Sequence, residues 1–411
     1  MNSHVFNARP YLLVNQIQHY EWGTRDAAAF IPQFLGQTPQ PGLPYAELWM
    51  GMHPKAPSAL LIEGTPTPLP QLAERYPDAL LGKKITARFG HTLPFLFKVL
   101  SVGAALSIQA HPNKTQAEAL HVCNPEQYPD DNHKPEIAIA LSPATALVGF
   151  KSYEEIRLTL AKYPEIVCFI EAGEGGVLRP VTMQQQRESV RRIYTALMRR
   201  ERDEQALQDA LNQLEQRLQR LPDPSDHERL FLESRRIYDG AEIGLLALFF
   251  LNFVRLKRGQ GIFLKPGIPH AYLRGNLVEC MANSDNVVRA GLTPKFKDVQ
   301  TLLDILTYEL GPTPILGQST GAQETVYAAP VIEFQVRRWQ LAGGESRQEK
   351  GNDQPAVLLI TEGELTLRWQ EEGEAQQQVI RRGQSLFIPA CLPGFELVAE
   401  STAEVFKAGV P

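Results

Sequence analysis

The stretch Gly259-Gln260-Gly261-Ile262-Phe263-Leu264-Lys265-Pro266-Gly267-Ile268-Pro269-His270-Ala271-Tyr272 decides how this chain is read. A short apolar run with glycines before it and Pro-Gly after it is strand and turn material. Two prolines and a glycine then hold His270 on a tight turn. A rigid turn delivering one imidazole suits a metal site, because ligands must be fixed before the ion arrives.

On either side of this stretch the texture is β. Leu93-Pro94-Phe95-Leu96-Phe97-Lys98-Val99-Leu100 and Ile137-Ala138-Ile139-Ala140-Leu141 are apolar runs of strand length. The segments 356–361, 364–369, 385–388 and 402–406 read the same way. With 30 glycines and 31 prolines among 411 residues, the chain favours a turn-rich sandwich or barrel. The exception lies between. Residues 183–221 contain no Gly or Pro, and Leu207, Leu211, Leu214, Leu218 and Leu221 recur at helical spacing. Pro222 stops that helix. A second helix is expected before it through Ile193 and Leu197, and a third, buried all round, over 243–253. The stripe is too short for a coiled coil and reads as a packing face. Residues 1–150 and 255–325 therefore form one β domain, 151–254 an inserted helical domain, and 326–411 a second β domain.

Lys and Arg number 41 against 46 Asp and Glu, a net charge of −5, which argues against nucleic-acid binding. The four cysteines, Cys123, Cys168, Cys280 and Cys391, form no CxxC pair, so a reducing compartment fits. The first 25 residues lack a secretory pattern. The apolar stretch 245–254 is broken by Asn252 and is too short to span a bilayer. These readings place the protein in the cytoplasm, off the membrane.

All nine histidines lie at or before His270, and the last 141 residues have none. Gln109 and His111, two apart in Gln109-Ala110-His111, reach one point if their segment is extended. Glu136, in His133-Lys134-Pro135-Glu136, leads into an apolar strand at a barrel mouth. With His270 these make one amide, two imidazoles and a carboxylate. That donor set suits Zn²⁺, and the same ligand types suit Mn, Co, Ni or Fe. The segment from Glu279 to Lys295 adds Glu279, Asp285, Arg289 and Lys295 in one short stretch. Its cations read as an anion clamp, especially for phosphate.

These residues carry a resemblance. The chain resembles the type I mannose-6-phosphate isomerases (phosphomannose isomerases), zinc enzymes of the cupin superfamily. The matching strings are Tyr20-Glu21-Trp22-Gly23, Ala46-Glu47-Leu48-Trp49-Met50-Gly51, 93–101, Ser107-Ile108-Gln109-Ala110-His111-Pro112-Asn113-Lys114, His133-Lys134-Pro135-Glu136 and 269–295. The resemblance implies a mainly β fold of two cupin-type (jelly-roll) domains plus the helical insertion. It implies one Zn²⁺ per chain on Gln109, His111, Glu136 and His270. It places Arg289 as a catalytic residue, and Lys134, Glu279, Asp285, Lys295 and Trp22 on the pocket, with Ser107, Lys98 and Lys114 as further contributors. In the last domain Gly383 and Pro389 keep a cupin spacing, while Gly394 stands where the metal histidine would be. That domain is expected to be cupin-shaped and metal-free.

The implied reaction interconverts mannose 6-phosphate and fructose 6-phosphate through a cis-enediol. Arg289 would stabilise the enediolate. Metal-bound water, Glu279, Asp285 and Lys134 all stand as candidate bases. Lys134, Lys295 and Lys98 can share the phosphate. The chain is expected to act as a monomer on a sugar phosphate. Two alternatives are a cupin Fe(II) dioxygenase, disfavoured by Gln109 and the cations at 289 and 295, and a non-catalytic sugar-phosphate-binding cupin.

Overall fold

The computed structural model describes residues 6–171, 182–318 and 323–411. In chain order the first strands are β1 (Tyr11–Val14), β2 (Gln16–Gln18), β3 (Glu47–Gly51), β4 (Ala59–Ile62) and β5 (Thr65–Pro68). Short helices over Leu69–Arg75, Pro77–Leu81 and Lys83–Phe89 follow. Then come β6 (Phe95–Val102), β7 (Ile108–Ala110), a helix over Lys114–Cys123, β8 (Glu136–Ala140) and β9 (Ala144–Phe150). The helical block runs through Tyr153–Lys162, Pro164–Glu171, Met183–Arg199, Glu204–Leu218 and Asp226–Arg235. After it lie β10 (Leu251–Leu256), β11 (Gly261–Leu264), β12 (His270–Ala282), β13 (Val288–Gly291) and a helix over Val299–Ile305. The last strands are β14 (Glu324–Tyr327), β15 (Gln335–Leu341), β16 (Ser346–Lys350), β17 (Ala356–Glu362), β18 (Glu364–Glu371), β19 (Glu374–Arg381), β20 (Ser385–Ile388), β21 (Gly394–Ala399) and β22 (Ala403–Gly409).

The fold is mainly β with an α-helical block, as expected of two jelly-roll layers around apolar cores. The ten-stranded sheet β10-β9-β12-β6-β3-β2, with β7, β8, β11 and β13 joined to it, carries Gln109, Glu136 and His270, and His111 directly follows β7. Strand β12 is its spine, pairing antiparallel with β6, β7, β8 and β9. The second sheet runs β14-β15-β22-β17-β20-β1-β4-β5, so strands from both ends of the chain share it. A four-stranded sheet, β16-β21-β18-β19, packs with it around Trp339, Leu358, Leu365 and Leu397. Gly394 opens β21 in close backbone contact with Glu349.

The leucine stripe forms the helix Glu204–Leu218, with Leu207, Leu211, Leu214 and Leu218 fully buried. Asp203 caps its start by accepting from the Ala206 amide. Leu221 falls just beyond its end. The expected helix over 243–253 is shorter. Only Gly244–Ala247 and a 3-10 turn at Leu248–Phe250 are helical, and Leu251 already pairs with Phe150 in β10. A buried apolar run fits helix and strand alike, and sheet pairing decided between them.

Candidate metal centre and catalytic pocket

Strand alternation sets the two faces of the metal-bearing strands. Ile108 and Ala110 of β7, Ala271 of β12 and Val288 and Ala290 of β13 join the apolar core of the helical block. Gln109, His270 and Arg289 take the opposite face. Gln109 pairs directly with His270 on one side and with Arg289 on the other. Residues directly opposite in a ladder project from the same face, so these three side chains emerge together.

His111 follows β7, and its Nδ1–H donates to Asn286 O at 2.7 Å. His270 opens β12 after the Pro-Gly turn, and its Nδ1–H donates to Ile268 O at 2.9 Å. Both backbone acceptors leave Nε2 bare and aimed inward. Glu136, first residue of β8, sits 3.3 Å from His111 Nε2 and 3.5 Å from His270 Nε2. The three donor atoms lie within 4.8 Å of one another. Both Nε2 atoms and Glu136 Oε2 are buried without a hydrogen-bond partner. Such orphaned atoms are costly in an apolar interior unless an ion satisfies them. Burial, with help from Lys134, pulls His111 down to about 4, the neutral form a metal requires. Burial opposes the charge of Glu136, but His111 and Lys134 outweigh it and hold the carboxyl well below its usual range. Gln109 adds an amide from the neighbouring register position. The donor set of two imidazoles, a carboxylate and an amide fits Zn²⁺.

A row of polar side chains continues across the sheet. Register places Trp49 opposite Lys98, Lys98 opposite Glu279, and Glu279 opposite Ala138. Lys98 Nζ lies 3.2 Å from Glu279 and 3.4 Å from Glu47, and all three are buried. Burial would discharge Lys98, but Glu47 and Glu279 hold it protonated. Burial raises Glu279, only partly offset by Lys98. The Tyr272 hydroxyl donates to Glu279 Oε1 at 3.0 Å, and the Trp49 indole donates to Glu47. Lys134 Nζ is 3.5 Å from Glu136 Oε1.

Arg289 differs from its neighbours. It is half-buried, burial lowers its pKa, and it has no carboxylate partner among the described residues. Asp285 is engaged instead: Lys55 approaches to 2.9 Å and His53 to 3.5 Å. Burial opposes its charge, but the contacts with His53 and Lys55 hold its carboxyl far below the usual range. Lys295 is exposed and has no acid partner among the described residues. Trp22 is half-buried and stacked on Tyr20 at 6.0 Å, and Ser107 is half-buried just before β7. Lys114 starts an outer helix and pairs with Asp131 at 3.3 Å, not with any of the cluster's acids among the described residues.

Sequence reasoning had no role for Glu47, Tyr272 or Asn286. Tyr272 was within reach, since it follows His270 at the two-residue strand period. Asn286 orients a ligand histidine through its carbonyl, which no side-chain pattern reveals.

Residues 11–153 match the family model described as phosphomannose isomerase type I, catalytic domain. Mannose-6-phosphate isomerase 2 of Arabidopsis thaliana is 37% identical over 413 residues, covering 96% of this chain and 92% of that protein. Mannose-6-phosphate isomerase of Bos taurus is 38% identical, covering 91% and 92%. The crystal structure of mannose 6-phosphate isomerase from Salmonella typhimurium bound to substrate (F6P) and zinc superposes with a TM-score of 0.83. It is 29% identical over 98% of this chain and 99% of that one.

Proposed function

The chain belongs to the type I phosphomannose isomerase family, and from that premise we propose how its own residues perform the reaction. It is a zinc-dependent isomerase that interconverts mannose 6-phosphate and fructose 6-phosphate. His111, Glu136 and His270, with Gln109 as fourth donor, hold the ion. When bound, zinc supplies Lewis-acid stabilisation and a template for the sugar oxygens.

The reaction removes a proton from a carbon beside a carbonyl and returns it to the adjacent carbon on one face of a cis-enediol. Arg289 meets the developing enediolate oxygen with a guanidinium that no carboxylate among the described residues has neutralised. Glu279 moves the proton. Burial raises its pKa above the usual carboxylate value, which makes it a stronger base. Tyr272 and Lys98 hold its two oxygens in place. Asp285 is too firmly ion-paired to serve and acts as scaffold. Lys295 takes the phosphate at the rim, with Lys134 nearer the metal.

We assign this chemistry to a three-part organisation at 1–150 with 255–325, 151–254 and 326–411, in which β1, β4 and β5 of the first part complete the sheet of the last, which gives mechanical support. We place the protein as a cytoplasmic monomer. Four free cysteines support this compartment, and among the described residues no helix is long and apolar enough to cross a membrane. The single observation that carries the reading is Arg289, without a carboxylate partner among the described residues, beside a buried triad of unsatisfied donor atoms.

The test is isomerisation of mannose 6-phosphate by purified protein, abolished by a chelator and restored by Zn²⁺. A folded, metal-replete sample without turnover defeats the reading. Oxygen consumption with Fe(II), or binding without turnover, would point to another cupin chemistry.

A further inference from the structure

Leu292 directly follows β13, three residues beyond Arg289. Its φ is +53°, a left-handed conformation that a leucine keeps only when its surroundings impose it. The segment between the helix Asp226–Arg235 and Gly244–Ala247 imposes it. The Leu292 amide donates to Glu242 Oε1 at 3.0 Å, and the Gly244 amide donates to the same oxygen at 3.0 Å. The Leu292 carbonyl accepts from the Tyr238 hydroxyl at 2.6 Å. Both backbone polar groups of one residue are thus gripped from the helical block. The other Glu242 oxygen meets Lys297 Nζ at 3.1 Å, and Lys297 also meets Glu201 at 2.5 Å.

The backbones are in contact at this point. A Cβ on Gly244 would lie 2.4 Å from Leu292 N, and one on Gly291 would lie 2.3 Å from Gly244 Cα. No side chain fits at either position, so the two glycines permit the approach. Glu242 is 7% exposed, and its carboxylate is fully used by two amides and a lysine.

Arg289 has no carboxylate among the described residues to orient it. With no ion pair to anchor it, the guanidinium depends directly on the path of β13. That path is set by Gln109 pairing on one side and by the Leu292 grip at the end. We propose that Glu242 and Tyr238 are positioning residues for catalysis: the helical block uses them to hold Leu292 and so aim Arg289 at the metal-side pocket. The inference rests on the catalytic role given to Arg289 above. It assigns the inserted helices a part in the reaction without contact to substrate.

The test is steady-state kinetics on zinc-loaded variants with thermal unfolding alongside. Glu242→Ala should lower kcat about tenfold while KM for mannose 6-phosphate changes less than about twofold, as for a misplaced catalytic group. Glu242→Gln keeps an oxygen for both amides and should recover most of that loss. Tyr238→Phe removes one hydroxyl and should lower kcat about threefold. In an Arg289→Ala background, Glu242→Ala should cost nothing further, because the group it aims is gone.

Wild-type kcat in Glu242→Ala overturns the proposal, as does an equal loss in the Arg289→Ala background. If Glu242→Ala does not fold, Tyr238→Phe decides, and an unchanged kcat there overturns it. An Arg289→Ala enzyme of normal kcat removes the role of Arg289 itself. A large Arg289→Ala loss with inert clamp variants removes the clamp alone.

Discussion

At the scale of single residues, Arg289 and the three close metal donors divide the work between free and satisfied charge. Lys98, Lys134 and Asp285 each sit against an opposite charge within 3.5 Å. Arg289 alone of the pocket's half-buried cations has none among the described residues. Its removal should therefore leave no buried charge stranded. Arg289→Ala is expected to lower kcat by about 10²–10³, as for loss of an oxyanion-type donor, with an unchanged unfolding midpoint. Kinetics with a thermal scan on one preparation checks both. A matched loss of stability would mean that the side chain is structural. Most of this site was legible in the chain, because His111, Glu136 and His270 sit in short motifs whose residue types already state their chemistry. Glu47 and Tyr272 were not, since their roles come from contact with Lys98 and Glu279 across neighbouring strands.

At the scale of elements, the helix Glu204–Leu218 owes its place to one apolar face. Leu211 is fully buried there, and Leu211→Ala should destabilise by about 2–5 kcal/mol in urea unfolding. A cost under about 0.5 kcal/mol would contradict the packing described, because surface sites behave that way. The junction between this block and β10 contains a titrating group. His227 donates to Leu251 O at 2.8 Å and lies between Phe249 and Phe253. Burial, reinforced by Lys151, lowers its pKa to about 4. The unfolded chain therefore binds this proton first as pH falls. The stability involved is complete above about pH 6.5 and is lost as pH drops toward about 4, roughly 2–4 kcal/mol in all. His227→Gln keeps a donor for Leu251 and should flatten the stability profile across that window relative to wild type. Parallel profiles would show that His227 titrates normally. Helix periodicity was easy to read in this region, while the change from helix to strand at Leu251 was not. Phe249, Phe250 and Leu251 are buried whichever element they join, so only pairing with β9 distinguished them.

At the scale of the whole molecule, the two large sheets are joined through buried charge. Glu404 on β22 is 2% exposed and meets Arg258, between β10 and β11, at 3.0 Å and Arg338 of β15 at 3.1 Å. Gly259 beside it, at φ +80°, lies against the Arg338 guanidinium, and its carbonyl accepts from Tyr327 at 2.7 Å. Glu404→Ala would take the carboxylate from the mostly buried Arg338, while the half-exposed Arg258 keeps Glu362 at 2.6 Å. It should cost about 1–3 kcal/mol of stability, yet the purified protein should keep one zinc per chain by metal analysis. Loss of zinc in a folded variant would mean that the contact shapes the metal site. The sequence alone determined the β character, the helical stripe and the metal-ligand types, because each is written in local periodicity or residue chemistry. Only the tertiary structure decided that β1 and β4 complete a sheet built from the far end of the chain. It also decided that Gln109, His270 and Arg289 stand side by side, and that Leu292 is held by the helical block. Those facts depend on strand register and on the close approach of distant backbones, which arise when many weak pairings are satisfied together and leave no mark at any one position.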